Sequence, residues 1–153
     1  MESHSMKEKQ FVPVKAAGVV PSAYGCTVFL SADGKIFAVG MDESKYDNIK
    51  FAIENTRCDR PTTFEFIRDL LEAMECRMLR ADFYAERDGV FFMRATMSVK
   101  TGGENRITTI DARPSDAIPL ALRCNAGMFI DAEVLERLQD MSDTFDNLKA
   151  KLL

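Results

Sequence analysis

Histidine is almost absent from this sequence. The only histidine among the 153 residues is His4, which lies in a polar N-terminal stretch before the first apolar run. Histidine is the general base of most serine and cysteine triads and a usual ligand of catalytic zinc. Because no histidine follows His4, the sequence excludes triads built on histidine, histidine general bases and most catalytic zinc sites from the rest of the chain.

Cysteine pairs and an excess of positive charge are missing as well. The four cysteines are scattered without a Cys-x-x-Cys pair, which argues against a zinc knuckle and a redox motif. The chain carries 20 basic and 24 acidic residues, for a formal net charge of −4. Proteins that hold nucleic acid by phosphate neutralisation usually have a basic excess, so any nucleic-acid site here must be a local patch.

The chain also lacks a long apolar segment. No run approaches the roughly 18 uninterrupted residues of a membrane-spanning helix, and the polar opening does not resemble a secretory signal. We therefore expect a cytoplasmic protein with reduced thiols and no membrane partner. The length fits one domain, so we predict a disordered tail at 1–10, a domain at 11–140 and a C-terminal helix at 141–153 that packs or oligomerises.

Local patterns predict an α+β fold with a mixed, largely antiparallel sheet and packed helices. Asp33-Gly34 stands between two β-rich runs, and Asp88-Gly89 stands between two more, which is a strong hairpin signal. Apolar residues then recur at helical spacing after the first hairpin and again before the second. The element order predicts a sheet built mainly from hairpins.

The two halves of the chain resemble each other. Each half runs through a hairpin, a strand and a short helix, and then reaches an Arg-Cys pair, at 57–58 and at 123–124. The second helix of the first half begins at Thr62, which forms a capping-box pattern with Glu65. An internal duplication of a hairpin, strand and helix unit would explain this similarity.

Charged residues cluster at one strand-to-helix junction, in the stretch IDARPSDAIPLALR. Asp111, Arg113 and Asp116 all fall within six residues there. In one interpretation they form a catalytic or ligand site. In the other, Ser115 is the N-cap, Asp116 favours the helix dipole, and the two contribute about 1–2 kcal/mol of stability while Arg113 pairs with nearby acids.

With MFIDAEVLE downstream, this stretch resembles the bifunctional nuclease domain family, whose signature is an acidic strand end, Arg-Pro-Ser-Asp-Ala-Ile and an apolar helix. FAVGMDE and RPTTFEF in the first half resemble other family segments, so the resemblance runs from about Gly18 to Leu138. It implies a nuclease acting on RNA and DNA. Carried over position by position, the resemblance points to Glu43, Arg60, Pro61, Asp111, Arg113, Pro114, Ser115 and Asp116.

The chain departs from the family pattern at three places. Phe64 stands where the family usually has histidine, Glu65 stands for aspartate, and Pro119 replaces a small or apolar helix residue. The change at Phe64 removes the only candidate imidazole. For a phosphodiester hydrolase without histidine we expect carboxylates that hold a metal ion.

The leading hypothesis is a divalent-metal-dependent nuclease acting on RNA or DNA. Asp111, Asp116 and Glu43 are the predicted catalytic residues and ligands of Mg²⁺ or Mn²⁺, which would position the phosphate and generate hydroxide. Arg113 and Arg60 are predicted to clamp phosphate oxygens. Ser115 is added as a substrate-binding residue.

The alternative hypothesis is a non-enzymatic binding or regulatory module. It would use the Arg113 and Arg60 surface to hold an anionic ligand or a protein partner. The C-terminal helix places Phe145, Leu148 and Leu152 on one stripe, which either docks on the chain's own core or joins a partner. We expect the second use, as a route to a homo-oligomer.

Overall fold

The computed structural model describes residues 8–152, without the side chain of Leu152, and builds one sheet from seven strands. The strands are β1 (Phe11–Ser22), β2 (Gly25–Ala32), β3 (Lys35–Met41), β4 (Arg77–Arg87), β5 (Val90–Thr101), β6 (Glu104–Ala112) and β7 (Gly127–Asp131). The order across the sheet is β3-β2-β1-β7-β4-β5-β6. Only the β4 and β7 pair is parallel, so the predicted α+β fold with a largely antiparallel sheet is confirmed.

Within residues 8–152, five α-helices accompany the sheet. They are α1 (Tyr46–Ile53), α2 (Thr63–Ala73), α3 (Pro114–Arg123), α4 (Ala132–Arg137) and α5 (Ser142–Leu152), and a 3-10 turn, Glu43–Lys45, leads into α1. None of the helices between residues 8 and 152 has the length and apolar character needed to cross a bilayer.

The two predicted hairpins are present, and the backbone angles of their turn residues explain why each turn needs only two residues. Asp33 and Gly34 have φ of 48° and 78°, and Asp88 and Gly89 have φ of 51° and 82°. Two successive positive φ values are what a two-residue type I′ turn requires, and its twist matches that of the flanking strands. The turn chemistry therefore sets the register of β2 with β3 and of β4 with β5.

The sheet curves until its two halves pack against each other. Phe37 of β3 lies 5.4 Å from Phe83 of β4 and 5.8 Å from Phe91 of β5, measured between ring centroids. Ile49 of α1 and Ile118 of α3 join the same fully buried cluster on the concave side. This core fixes the start of α3 near the ends of β3 and β6.

The C-terminal helix α5 lies on the convex side of the sheet. Phe145 is buried there and stacks on Phe29 with ring centroids 4.8 Å apart, and Leu148 packs against the same cluster. Two members of the predicted stripe thus dock on the chain's own sheet. Leu152 lies outside the described side chains, and the homo-oligomer stays a prediction.

Two finer sequence predictions have different outcomes. Thr62 is the N-cap of α2 as predicted, but the capping box is wrong, because the Thr62 hydroxyl donates to Glu65 Oε1 (3.1 Å) and makes no backbone cap bond. Each half contains a three-strand antiparallel meander followed by a helix. Repeated order does not by itself establish a common origin, so the internal duplication stays a prediction.

Gly25 permits the close approach of β2 to the end of β3. A Cβ at Gly25 would clash with the backbone oxygen of Met41, whereas a Cβ at Gly40 meets nothing within 4 Å. We expect Gly25→Ala to lower the free energy of unfolding by about 1–3 kcal/mol, because backbone must move to relieve the overlap. Urea denaturation measures this, with Gly40→Ala as the matched control. Equal stability of the two variants would contradict the close approach.

Candidate functional site

The β6–α3 junction, residues 111–116, carries most of the predicted site residues. Helix α3 begins at Pro114, with Arg113 as an extended N-cap residue that makes no side-chain cap bond. The prediction that Ser115 is the N-cap is therefore wrong. Proline suits the first helical position because its φ is already helical and its missing N–H would have no partner there. Ser115 lies one residue inside the helix.

Asp111 is held on the convex face of the sheet by Tyr84. The Tyr84 hydroxyl donates to Asp111 Oδ1 at 2.7 Å, across 27 positions of sequence. This hydrogen bond to the carboxylate is the main cause that raises the pKa of Tyr84 above its ordinary value. Arg94 pairs with Asp111 in the strand register, and its guanidinium lies 5.4 Å from the Tyr84 ring centroid. The carboxylate thus has a fixed donor and a cation beside it.

Asp116 is engaged by Arg113 instead. Arg113 Nη2 and Nε lie 3.0 and 3.1 Å from Asp116 Oδ2, and the two side chains are 77% and 43% exposed. An ion pair this exposed contributes about 0–1 kcal/mol. The Arg113 guanidinium can therefore exchange Asp116 for another anion at little cost.

A cavity of about 360 Å³, the α3 cleft, lies beside the junction. Arg113 and Ser115 line it on one side, and Asp42 and Lys45 line it on the other. Asp42 accepts a hydrogen bond from the Ser44 backbone N–H at 2.9 Å, and this bond lowers the pKa of the Asp42 carboxyl. Two of the three predicted substrate-binding residues therefore share the cleft.

Glu43 and Arg60 do not line the α3 cleft. Glu43 is exposed in the 3-10 turn, one position beyond Asp42, which lines the cleft instead. Arg60 is exposed in the loop between α1 and α2 and forms no ion pair with any residue of the described part. Asp42 therefore lines the cleft and Glu43 does not, and Arg60 lies outside the cleft as well.

Glu65 is not available for ligand chemistry. Its Oε1 lies 3.4 Å from Arg123 Nη2, and the two side chains are only 10% and 5% exposed. Arg123 Nη1 also donates to the Thr56 carbonyl at 3.0 Å. Phe64, the residue before Glu65, is buried in the core. Phe64 and Glu65 therefore have structural roles in the chain.

The predicted carboxylates do not assemble a metal site. Among residues 8–152, no three His, Cys, Asp or Glu side chains lie close enough together to hold an ion. Asp111 is bonded to Tyr84, Asp116 to Arg113, and Glu43 does not line the cleft. The donor set therefore does not fit a cage made of the three carboxylates.

Several residues near the junction could not be identified as site residues from the sequence. Tyr84, Phe92 and Arg94 lie beside Asp111 on the convex face, and Arg87 lies with its guanidinium 6.0 Å from the Phe92 ring centroid. Only the strand register brings them to Asp111, because Arg94 pairs with Asp111 across β5 and β6. The alternation of side chains along β4 predicts which of its residues share a face. Nothing nearby in the sequence shows that this face lies next to Asp111.

The Tyr84 contact with Asp111 makes a prediction that needs no activity assay. We expect Asp111→Asn to lower the pKa of Tyr84, because the carboxylate that disfavours tyrosinate is removed. Ultraviolet titration of tyrosinate measures this in protein that carries Tyr24→Phe and Tyr46→Phe, so that Tyr84 is the one tyrosine left. Asp116→Asn is the control and leaves the titration unchanged. Superimposable curves for Asp111→Asn and wild type would contradict the contact.

Comparisons with known proteins agree with the resemblance at the junction. A sequence model described as the bifunctional nuclease domain matches residues 28–142. A curated relative, Bifunctional nuclease 2 of Arabidopsis thaliana, is 32% identical over 75 residues. That match covers 48% of this chain and 22% of the relative, so the chain corresponds to about a fifth of the relative's length. Because the domain match covers most of the sequence, the chain belongs to the bifunctional nuclease domain family.

Proposed function

We propose that the chain is a nuclease that binds a strand of RNA or DNA at the β6–α3 junction and cleaves a phosphodiester bond there. Family membership and the printed name of the plant relative support the activity class. The observation that carries the proposal is Asp111, an exposed carboxylate that accepts a hydrogen bond from Tyr84 and is the register partner of Arg94 on the neighbouring strand. The alternative, a binding module, is favoured by the hydrogen bonds that already engage Asp111 and Asp116.

Phosphate binding would fall to cations that different elements bring to the junction. Arg113 exchanges its exposed partner readily, and Lys45 faces it across the α3 cleft. Arg94 Nε lies 3.7 Å from Asp82 Oδ2, and 39% of the Arg94 side chain is exposed. Bidentate arginine contacts suit phosphate oxygens. Each of these cations lies near a carboxylate, so strand binding would depend on individual arginine and lysine contacts rather than on a net positive charge.

Base stacking would use the aromatic side chains of the same convex face. Tyr84 and Phe92 have ring centroids 6.4 Å apart and are both partly exposed. A base stacked on an aromatic side chain contributes about 1–3 kcal/mol, with little dependence on base identity. Single strands present free bases, so we propose a single-stranded substrate.

The chemical step is assigned to Asp111 as general base. Tyr84 occupies Oδ1 and orients the carboxylate, while Oδ2 accepts no hydrogen bond from residues 8–152. Oδ2 would take a proton from the water whose oxygen attacks phosphorus. The bond between phosphorus and the leaving oxygen of the strand would break, and that oxygen would take its proton from solvent. Arg94 and Arg113 would stabilise the negative charge that develops on the phosphoryl oxygens.

No step is assigned to a metal ion, because the three carboxylates do not converge. Dependence on Mg²⁺ or Mn²⁺ stays a prediction. An ion held by one carboxylate, water and substrate phosphates would need no such cage.

A cleavage assay tests the function. Purified protein is incubated with end-labelled single strands of RNA and of DNA, in Mg²⁺, in Mn²⁺ and in EDTA. We expect cleavage of at least one substrate, with a rate proportional to protein concentration. If both substrates remain intact in all three conditions, the nuclease proposal fails and the binding module is favoured.

A further inference from the structure

A second cavity, of about 340 Å³, lies at the other end of α3. Four arginines line it, and each comes from a different element. They are Arg57 in the loop after α1, Arg68 in α2, Arg77 at the start of β4 and Arg123 at the end of α3. We call it the arginine pocket. It shares no lining residue with the α3 cleft, and the ten residues of α3 separate the two by about 15 Å.

The fold brings the arginine of each Arg-Cys pair of the sequence to this pocket. Arg57 follows the first helix and Arg123 ends the corresponding helix of the second half. Both line the pocket, and Cys124 lines it beside Arg123. The two arginines of the repeated Arg-Cys pairs therefore line one pocket, away from the junction.

Two of the four guanidiniums are already partnered. Arg123 is buried with Glu65, and Arg68 donates to Asp69 Oδ1 from Nε and Nη2 at 3.2 and 3.1 Å. These two arginines shape the wall of the pocket and are neutralised by their own partners.

The other two are free to bind a ligand. Arg57 and Arg77 are exposed, and neither forms an ion pair or a side-chain hydrogen bond within residues 8–152. Glu72 is the only acid in the lining that the described part of the chain provides, and Asn125 adds an amide. With the partners of Arg68 and Arg123 counted, the pocket keeps one positive charge in excess, in a chain whose net charge is −4.

We propose that the arginine pocket binds the phosphate group of a phosphomonoester. Arg57 and Arg77 would engage the phosphate oxygens as planar, multiply donating cations, and Asn125 would donate from its amide. A phosphomonoester carries more negative charge than a phosphodiester and offers three terminal oxygens, which suits two guanidiniums from different elements. The volume lies at the lower end of the range for small-molecule sites. The phosphate could belong to inorganic phosphate, to a nucleotide or to the end of a strand.

Calorimetric titration of the full chain tests the proposal at constant ionic strength. The probes are inorganic phosphate, a nucleoside 5′-monophosphate, and one oligonucleotide with either a 5′-phosphate or a 5′-hydroxyl. We expect the phosphomonoesters to bind and Arg57→Gln or Arg77→Gln to weaken them about tenfold or more, because each removes charged hydrogen bonds. Arg106→Gln, an exposed arginine of β6, is the matched control and leaves affinity unchanged.

The probes also separate the sources of the phosphate. Equal affinity for phosphate and nucleotide indicates recognition of the group alone, whereas preference for the 5′-phosphorylated strand indicates its terminus. The proposal is overturned if no phosphomonoester binds, or if the Arg57 and Arg77 variants bind like wild type. Far-ultraviolet circular dichroism checks that the variants fold. Asp111→Asn binds equally well, so failure of this site and failure of the nuclease proposal are distinguishable.

Discussion

Arg123→Met is expected to lower the free energy of unfolding by about 3–5 kcal/mol, which is the usual cost of leaving a buried charge without its partner. The Arg123 and Glu65 side chains are 5% and 10% exposed and lie 3.4 Å apart. Methionine leaves the Glu65 carboxylate buried and also removes the bond to the Thr56 carbonyl. A small domain has about 5–15 kcal/mol of stability, so this loss is a large fraction of the total.

Urea denaturation measures this change, and a double variant separates charge from packing. Glu65→Leu combined with Arg123→Met removes both charges and is expected to recover most of the loss, because an apolar pair needs no countercharge. Asp116→Asn, which breaks an exposed pair, is the control and costs about 1 kcal/mol or less. A stability of Arg123→Met equal to that of the control would contradict a structural role for the pair.

Asp111→Asn is expected to reduce cleavage about 100-fold or more, since loss of a positioned general base costs a factor of that order. Asparagine keeps the shape of the side chain and an oxygen that accepts from the Tyr84 hydroxyl, but it does not take up a proton. Single-turnover rates with protein in excess measure the chemical step. The loss should therefore appear in the rate rather than in strand affinity.

Asp116→Asn is the matched comparison for Asp111→Asn. Asp116 neutralises Arg113 without touching Tyr84, so its removal frees a cation and should change the rate by only a few fold. Equal losses in the two variants would mean that they act as a unit, as the metal hypothesis requires. A full rate in Asp111→Asn would remove Asp111 from the mechanism.

Much of the fold follows from local signals in the sequence. Asp33-Gly34 and Asp88-Gly89 mark hairpins because few other pairs accept two positive φ values in succession. The helix that ends at Arg123 follows from apolar spacing alone. These features depend on residues close in sequence, so a single sequence is sufficient to predict them.

The candidate site could be located from the sequence but not assembled. Asp111 and Arg113 were found through their motif, whereas Tyr84 reaches Asp111 only because β4, β5 and β6 pair in one register. The one error at the junction has a local cause, because Pro114 starts α3 one residue before Ser115. Asp42, next to Glu43, lines the α3 cleft, and the role of Glu43 stays a prediction.

Photo-crosslinking tests most directly whether a substrate strand binds at the β6–α3 junction, because it locates the bound strand without depending on turnover. An iodouridine-substituted single strand is bound to the Asp111→Asn protein, irradiated, and the crosslinked peptides are identified by mass spectrometry. We expect crosslinks at Tyr84 or Phe92, the partly exposed aromatic residues near Asp111. Crosslinks confined to other parts of the chain would contradict a substrate strand at the β6–α3 junction.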